Sequence, residues 1–288
     1  VGADSEQVEF FHVPTNRGWT RDFSPTFVKK STSLSTPGKR TKNADSVAAI
    51  RFRFSAWAKY PDWPLDDQAS GKVIEALGCH AFAPQWQGRD VVLEGGSIDG
   101  NGRGCMLTTE ECLLDPHIQI RNPGFTREDY QGILRDYLGV THTIWLGKGI
   151  AGDDTHGHVD DLCRFVNPTT VVLCSENDPH EVNYRPLQEN AERLQDTRLE
   201  NGEKLNVISL PMPSPVIFDG QRVPASYANF LIANAVVLVP TFNDPNDRIA
   251  LGILAECFPD RSVVGIHSVD LVWGLGTIHC LTQQQPVK

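Results

Sequence analysis

The chain holds 288 residues, 40% of them hydrophobic and 22% charged, enough to bury a substantial core without covalent staples. No apolar run reaches the length that spans a bilayer, which excludes a helical membrane protein. A formal net charge of -10 repels nucleic acid and anionic lipid, so neither is expected as a partner, and it favours a cationic ligand.

The seven cysteines are odd in number, form no CxxC pair and lie mostly in apolar strings such as "VVLCSEN", where a free thiol behaves as a small hydrophobe. A reducing compartment is expected. The chain opens at Val1 on a polar segment without a charged and apolar leader, which adds to the expectation of a cytoplasmic location.

Along the chain, "GWTRDFSPTFV" (18–28) places Asp22 where an apolar strand would be expected. A helical pattern, "DDQASGKVIEALG", follows from Asp66. "VVLEGGSIDGNGRGCMLTT" then reads as strand, turn, strand, with a hairpin turn at Asp99 to Gly102 and Glu94 closing the buried-looking run Val91 to Leu93. Its glycines lack the GK[ST] ending of a phosphate loop and lead into no helix. Burying Asp22 or Glu94 would cost several kcal/mol, on the order quoted for isolated ions, unless a cationic substrate or a protonated histidine paired with it.

The next helix, "TREDYQGILRDYLG", carries Thr126 and Asp129 as a cap and Gly139 as a stop, and the β-branched run "VTHTIWL" follows it. In "AGDDTHGHVDDLCRF", His158 and Asp160 are two apart and so share a face of any extended segment. The pattern then repeats twice. "HVDDLCRFVNPTTVVLCSE", the helix "NYRPLQENAERLQD" and the strand "LNVISLPM" come first; "NFLIANAVVLVPTF", "PNDRIALGILAECF" and "RSVVGIHS" follow. The last element, "GLGTIHCLTQQQP" (274–286), looks β-rich, which sets His279 and Cys280 on opposite faces, so the base for Cys280 must come from elsewhere.

The unit is strand, strand, helix, strand, with helix starts spaced by roughly 60 residues. Modules arranged in a ring could deliver polar side chains from distant parts of the chain to one central cavity. An ordinary α/β sandwich stays open on spacing alone.

The stretches "WTRDFSPTFV", "LEGGSIDGNGRG", "DDTHGHVDDLCRF", "SYANFLIANAVVLVPTFNDPND" and "LVWGLGTIHCLTQQQP" span nearly the whole chain. Together they resemble the agmatine deiminase and bacterial-type peptidylarginine deiminase family of guanidino-group modifying enzymes. The resemblance implies an α/β pentein fold, a five-bladed propeller of strand, strand, helix, strand modules, with residues 1–288 forming a single catalytic domain. The family normally carries a further N-terminal segment before "WTRD", so either the sequence is a piece of a longer chain or the first blade is incomplete. Its usual triple glycine stands here as "GLG", with Leu275 in the middle.

Residue by residue, the resemblance implies Cys280 as nucleophile, His158 as general acid and base, and Glu94 as the partner of His158. Asp22 and Asp160 would hold a guanidinium, with Trp19 and Gly276 lining the substrate pocket. The implied reaction hydrolyses agmatine to N-carbamoylputrescine and ammonia through a covalent amidino-thioether, without metal or organic cofactor, and a homodimer is open. Peptidyl-arginine or another guanidino compound is the alternative substrate.

Other classes fit isolated features. His156, His158 and Asp160 form an H-x-H-x-D string that could bind zinc in a metal-dependent hydrolase, and a non-catalytic pentein binding module would keep the fold alone. Taken singly, Cys280 reads as buried packing, Asp22 as a partner of Arg21, Glu94 as a strand-ending surface residue and Trp19 as core.

Overall fold

The structure, a computed structural model, describes residues 8–29 and 47–286; the polar opening segment at Val1 lies outside them. Four α/β modules follow one another, each a three-stranded sheet with its second strand in the middle. In module one, Thr26–Lys29 pairs antiparallel with Val47–Ile50; the chain crosses through the helix Pro64–Leu77, and His80–Phe82 returns parallel to the middle strand. Module two repeats this with Asp99–Gly100, Cys105–Thr109, the helix Arg127–Leu138 and His142–Leu146. Module three uses Cys163–Asn167, Thr170–Ser175, the helix Tyr184–Leu194 and Asn206–Pro211. Module four uses Leu231–Ile232, Val236–Thr241, the helix Pro245–Cys257 and Ser262–His267.

Local chemistry sets these boundaries. Thr126 and Asp129 form a reciprocal capping box, satisfying N–H groups that the first helical turn leaves without partners, and Asp244 with Asp247 does the same in module four. Gly139 ends the module-two helix in the left-handed conformation, φ 70°, which glycine adopts without a Cβ penalty. The middle strands are apolar on both faces: Val171, Val172, Leu173 and Cys174 are all buried, as parallel pairing beneath a helix requires.

One large apolar cluster joins modules three and four, from Leu162 and Val172 through Phe230 to Val239 and Leu254. A second, around Ile50, Leu93, Tyr130 and Leu134, joins module two to the sheet of module one. The run Val91 to Leu93 forms no strand. Val92 makes an isolated bridge to Arg53, while Val91 and Leu93 fill the core. The hairpin of module two turns at residues 101–104, with Asp99–Gly100 already paired to Leu107 and Met106, so the turn lies two residues beyond the one expected at Asp99 to Gly102.

Replacing Thr126 by alanine removes the cap and is expected to cost about 1 kcal/mol, lowering the thermal midpoint by about 2–4 °C, whereas Thr126→Ser should hold it. Calorimetry of the two variants checks this.

Candidate active site

The chemistry-bearing side chains lie on the short turns that lead into the modules. Asp22 sits on a single helical turn, Thr20–Phe23, ahead of module one. Glu94 precedes the 3-10 turn Gly95–Ser97 ahead of module two, and His158 and Asp160 lie at and within the 3-10 turn Val159–Asp161 ahead of module three. Asn229 occupies the turn before Leu231–Ile232, and Cys280 the turn after the 3-10 segment Val272–Gly274.

These five turns touch in a ring. The Gly96 amide donates to Asp22 Oδ1 at 3.0 Å, and Asn229 Nδ2 donates to Asp161 Oδ1 at 2.9 Å. The His279 amide donates to the Asn229 carbonyl at 3.1 Å, and the Arg21 amide to the Cys280 carbonyl at 3.0 Å. Glu94 Oε2 and His158 Nε2 approach to 3.7 Å between the second and third turns. Backbone that has left the strand ladder has its polar groups free to do this.

His158 is buried among three carboxylates. Its Nδ1 lies 3.8 Å from Asp22 Oδ1 and 4.0 Å from Asp160 Oδ1, and neither ring nitrogen has a hydrogen-bond partner. Burial alone would push its pKa down; Asp22 and its other neighbours outweigh that and hold it well above the usual imidazole range. Burial acts the other way on Asp22 and raises it, opposed by His158 and by hydrogen bonds from Trp57 Nε1 at 2.9 Å and the Gly96 amide. Asp160 is pushed up to about 7 by burial, against the pull of His158. Its Oδ2 accepts from His279 Nδ1 at 2.7 Å, while its Oδ1 has no partner. The Cys280 thiol is driven well above its usual range by burial and by Asp160, Asp161 and Asp22.

Gly96 makes this convergence possible. A Cβ there would lie 2.6 Å from His158 Nδ1, 2.9 Å from Asp22 Oδ1 and 3.1 Å from Asp160 Oδ2, so any side chain would occupy the ground between them. Asp22 and Cys280 open into a cavity of about 260 Å³ walled by Trp19, Trp57 and Tyr60, with Asp62 and Asp154 also on its lining. Gly274 and Gly276 lie against the Trp19 ring, where Cβ atoms would come within 2.8 and 2.9 Å of it. Gly274 and Leu275 line the cavity, and Gly276 supports the ring.

The structure alters several expectations. His158 and Asp160 meet through a 3-10 turn instead of along an extended face. The segment around Cys280 is also a turn, not a strand: the Thr282 amide donates to the His279 carbonyl, and the amides of His279 and Cys280 both donate to Asn229 Oδ1. His279 and Cys280 are therefore both buried, 4% and 6% exposed, instead of facing opposite sides of a sheet. Arg21 does not pair with Asp22; its guanidinium reaches the carbonyl of His279 and the side chains of Thr282, Gln283 and Gln284. His156 turns to Asp115 Oδ2 at 2.8 Å, so the H-x-H-x-D string does not assemble into one ligand set. Among the described residues, Glu94, Cys112 and His158 form one group of metal-ligand type and Asp160, Asp161 and Cys280 another, each within 4.8 Å. The Arg121 guanidinium already balances Glu94 in the first.

Arg121, Asn229 and Trp57 were not legible as site residues. Arg121 is buried and donates through Nε to both Glu94 oxygens, at 3.2 and 3.3 Å, and through its other nitrogens to the carbonyls of Gln119 and Thr155. Burial would raise the Glu94 pKa; Arg121 and His158 outweigh it and hold the group down at about 2. An arginine between apolar Ile120 and a turn-forming "NPG" was the available signal, since an unpaired charge does not stay in such a setting.

A ring of turns that brings a buried thiol, an imidazole and several carboxylates to one cavity defines a class of site, and comparison with known proteins places it. The sequence profile described as Porphyromonas-type peptidyl-arginine deiminase matches residues 2–286, and the chain belongs to that family. An agmatine deiminase of Pseudomonas syringae pv. tomato is 35% identical over 98% of this chain and 78% of its own length. Among solved structures, the C. jejuni C315S agmatine deiminase with substrate bound superposes with a TM-score of 0.81 at 30% identity, over 98% of this chain and 77% of that one. The agmatine deiminase of Enterococcus faecalis gives 0.83 at 34% identity, over 93% and 74%. The α/β fold is shared with these deiminases. No helix among the described residues is long and apolar enough to cross a membrane.

The Arg121 to Glu94 pair has both side chains fully buried. Arg121→Met is expected to destabilise by about 3–5 kcal/mol because it strands a buried charge, and Glu94→Gln in the same chain should recover much of the loss. Because the Glu94 pKa is lowered on folding, its contribution is complete above pH 4.5 and disappears as pH falls toward about 2. Denaturant melts of both variants across that window test both statements.

Proposed function

We propose that the protein is a cysteine-dependent deiminase that hydrolyses agmatine to N-carbamoylputrescine and ammonia. The observation that carries this is the placement of Cys280 and Asp22 on one cavity, with Asp160 3.8 Å from the sulfur and keeping one oxygen unpartnered. A guanidinium presents a planar fork of N–H donors, and Asp22 with Asp160 offers the buried acceptors to grip it. The cation's arrival also offsets the carboxylate field that holds the Cys280 proton on, so substrate binding itself favours the thiolate.

The thiolate attacks the central carbon and forms the C–S bond. Protonated His158 delivers its proton to the departing nitrogen, which leaves as ammonia when the C–N bond breaks. The same imidazole, now neutral, takes a proton from water as the water's oxygen attacks the amidino-thioether. The C–S bond then breaks, and the ureido product and the thiol are restored. Glu94, fixed by Arg121, stabilises the cationic form of His158.

Asp62 and Asp154, also on the lining of the cavity, suit the ammonium of agmatine. Both carboxylates already have cationic partners, Arg17 and Lys59, which would exchange with that ammonium. Peptidyl-arginine is the competing substrate, since it would bring a peptide backbone in place of that ammonium.

The reading includes the five-bladed pentein arrangement, with 1–288 a single catalytic domain. Four modules and a fifth entry turn carrying Cys280 support it; the chain spans 78% of the curated relative's length. Seven free cysteines support a cytoplasmic location.

Ammonia release should be measured with agmatine and with a peptide ending in arginine. Turnover of the peptide alone would overturn the assignment, and Cys280→Ala should lower kcat by about 10⁴-fold or more. Gly96→Ala is expected to lower kcat/KM at least about 100-fold by displacing His158 and Asp22 from their positions. Agmatine binding to Cys280→Ala should weaken as pH drops through about 7, because protonating Asp160 removes a charge the ligand needs. Calorimetric titration at several pH values reads this, and affinity that is flat across neutrality would contradict it.

A further inference from the structure

Asn229 is a buried carboxamide, 1% exposed, whose every polar atom is committed. Its Oδ1 accepts from Thr277 Oγ1 at 2.7 Å and from the amides of His279 at 3.1 Å and Cys280 at 3.4 Å. Its Nδ2 donates to Asp161 Oδ1 at 2.9 Å and to Cys280 Sγ at 3.2 Å. The opposite orientation would press an NH₂ group against two backbone N–H donors and a carbonyl oxygen against a carboxylate, so the surroundings fix which end faces the sulfur.

The sulfur itself is oriented. Its proton is directed at Asp160 Oδ2, 3.8 Å away, which leaves a lone pair for the Asn229 N–H. Around it stand the carboxylates of Asp160, Asp161 and Asp22 and, as a cation, the Arg21 guanidinium; the Thr277 backbone N–H is a second donor to the cysteine. Most of this environment opposes a negative sulfur, whereas a donor aimed at it gains strength as charge develops there.

We propose that Asn229 is a catalytic residue: its side-chain N–H, locked in direction by Asp161 as a positioning residue, donates to the Cys280 sulfur and holds the thiolate ready for attack. This rests on Cys280 being the nucleophile of the reaction proposed above. It adds a reason for Asp161 to be buried beside Asp160: it accepts the second N–H of the carboxamide and prevents its rotation.

The experiment compares the unmutated protein with Asn229→Ala and with the exchange Asn229→Asp plus Asp161→Asn. The exchange keeps an amide-to-carboxylate bond between the two positions and an acceptor for the backbone amides, but offers the sulfur no donor. The first readout is the rate of alkylation by iodoacetamide as a function of pH, located at Cys280 by peptide mass. Both variants are expected to react roughly 10 to 100 times more slowly at every pH below the thiol midpoint, the range a lost hydrogen bond to a charged group implies. In agmatine turnover, kcat should fall by a similar factor while KM changes little. Equal alkylation rates in folded variants would overturn the proposal.

Asparagine labelled with ¹⁵N in the unmutated protein gives a test that needs no variant to fold. One carboxamide pair should shift with the same midpoint as Cys280 alkylation, and the absence of such a pair would equally overturn the proposal. If agmatine and the arginine peptide are both inert while the alkylation and label results hold, the substrate assignment fails and the role of Asn229 stands.

Discussion

The structure depends on confining four carboxyl groups around one imidazole in a dry interior. Asp22, Glu94, Asp160 and Asp161 are all buried within reach of a single imidazole, with Arg121, Arg164 and Arg21 as the full cations acting on them. Carboxylates taken out of water need fixed dipoles in place of the solvent they lost. The polar contacts of the site supply these: Trp57 and the Gly96 amide on Asp22, Arg121 on Glu94, His279 on Asp160, and Asn229 on Asp161. What stays without a hydrogen-bond partner is one oxygen of Asp160 and the two nitrogens of His158.

The same arithmetic explains the neutral second histidine. His279 is held well below the usual imidazole range by burial, then by Arg164 and Arg21, so its Nδ1 serves as a dipolar donor to Asp160 without adding charge. Two buried histidines thus take opposite protonation states a few ångströms from one aspartate, because one faces carboxylates and the other faces guanidinium groups. Arg21 has a further part: by gripping Thr282, Gln283 and Gln284 it ties the turn carrying the thiol to the turn carrying Asp22.

The modular architecture was open to sequence reasoning because it is written in local chemistry. The four helices begin and end within a few residues of the patterns read for them, and the strand pairs of modules three and four were visible as apolar, β-branched runs, whereas the pair of module one was not read and the first strand of module two lies at Asp99–Gly100 instead of Val91 to Leu93. Resemblance supplied Asp22, Glu94, His158, Asp160 and Cys280, and the structure gathers these five. It places Gly276 one layer back, under Trp19. What escaped was whatever depends on direction: that Arg121 turns inward to Glu94, that His279 swings to the same interior as Cys280, and that Asn229 joins Asp161 to the thiol. These contacts link positions tens of residues apart, and turn residues carry no periodicity that would announce which way they point.

The ring of entry turns has a consequence for how the molecule can fail. Because the reacting groups are drawn from successive modules and no single module holds more than a fraction of them, no excised portion retains the site. A breach in any one sheet would separate the imidazole, the thiol and the carboxylates from one another. Loss of turnover should therefore report the opening of the whole assembly and not of its least stable part, which makes the enzyme's own reaction a sensitive gauge of its integrity.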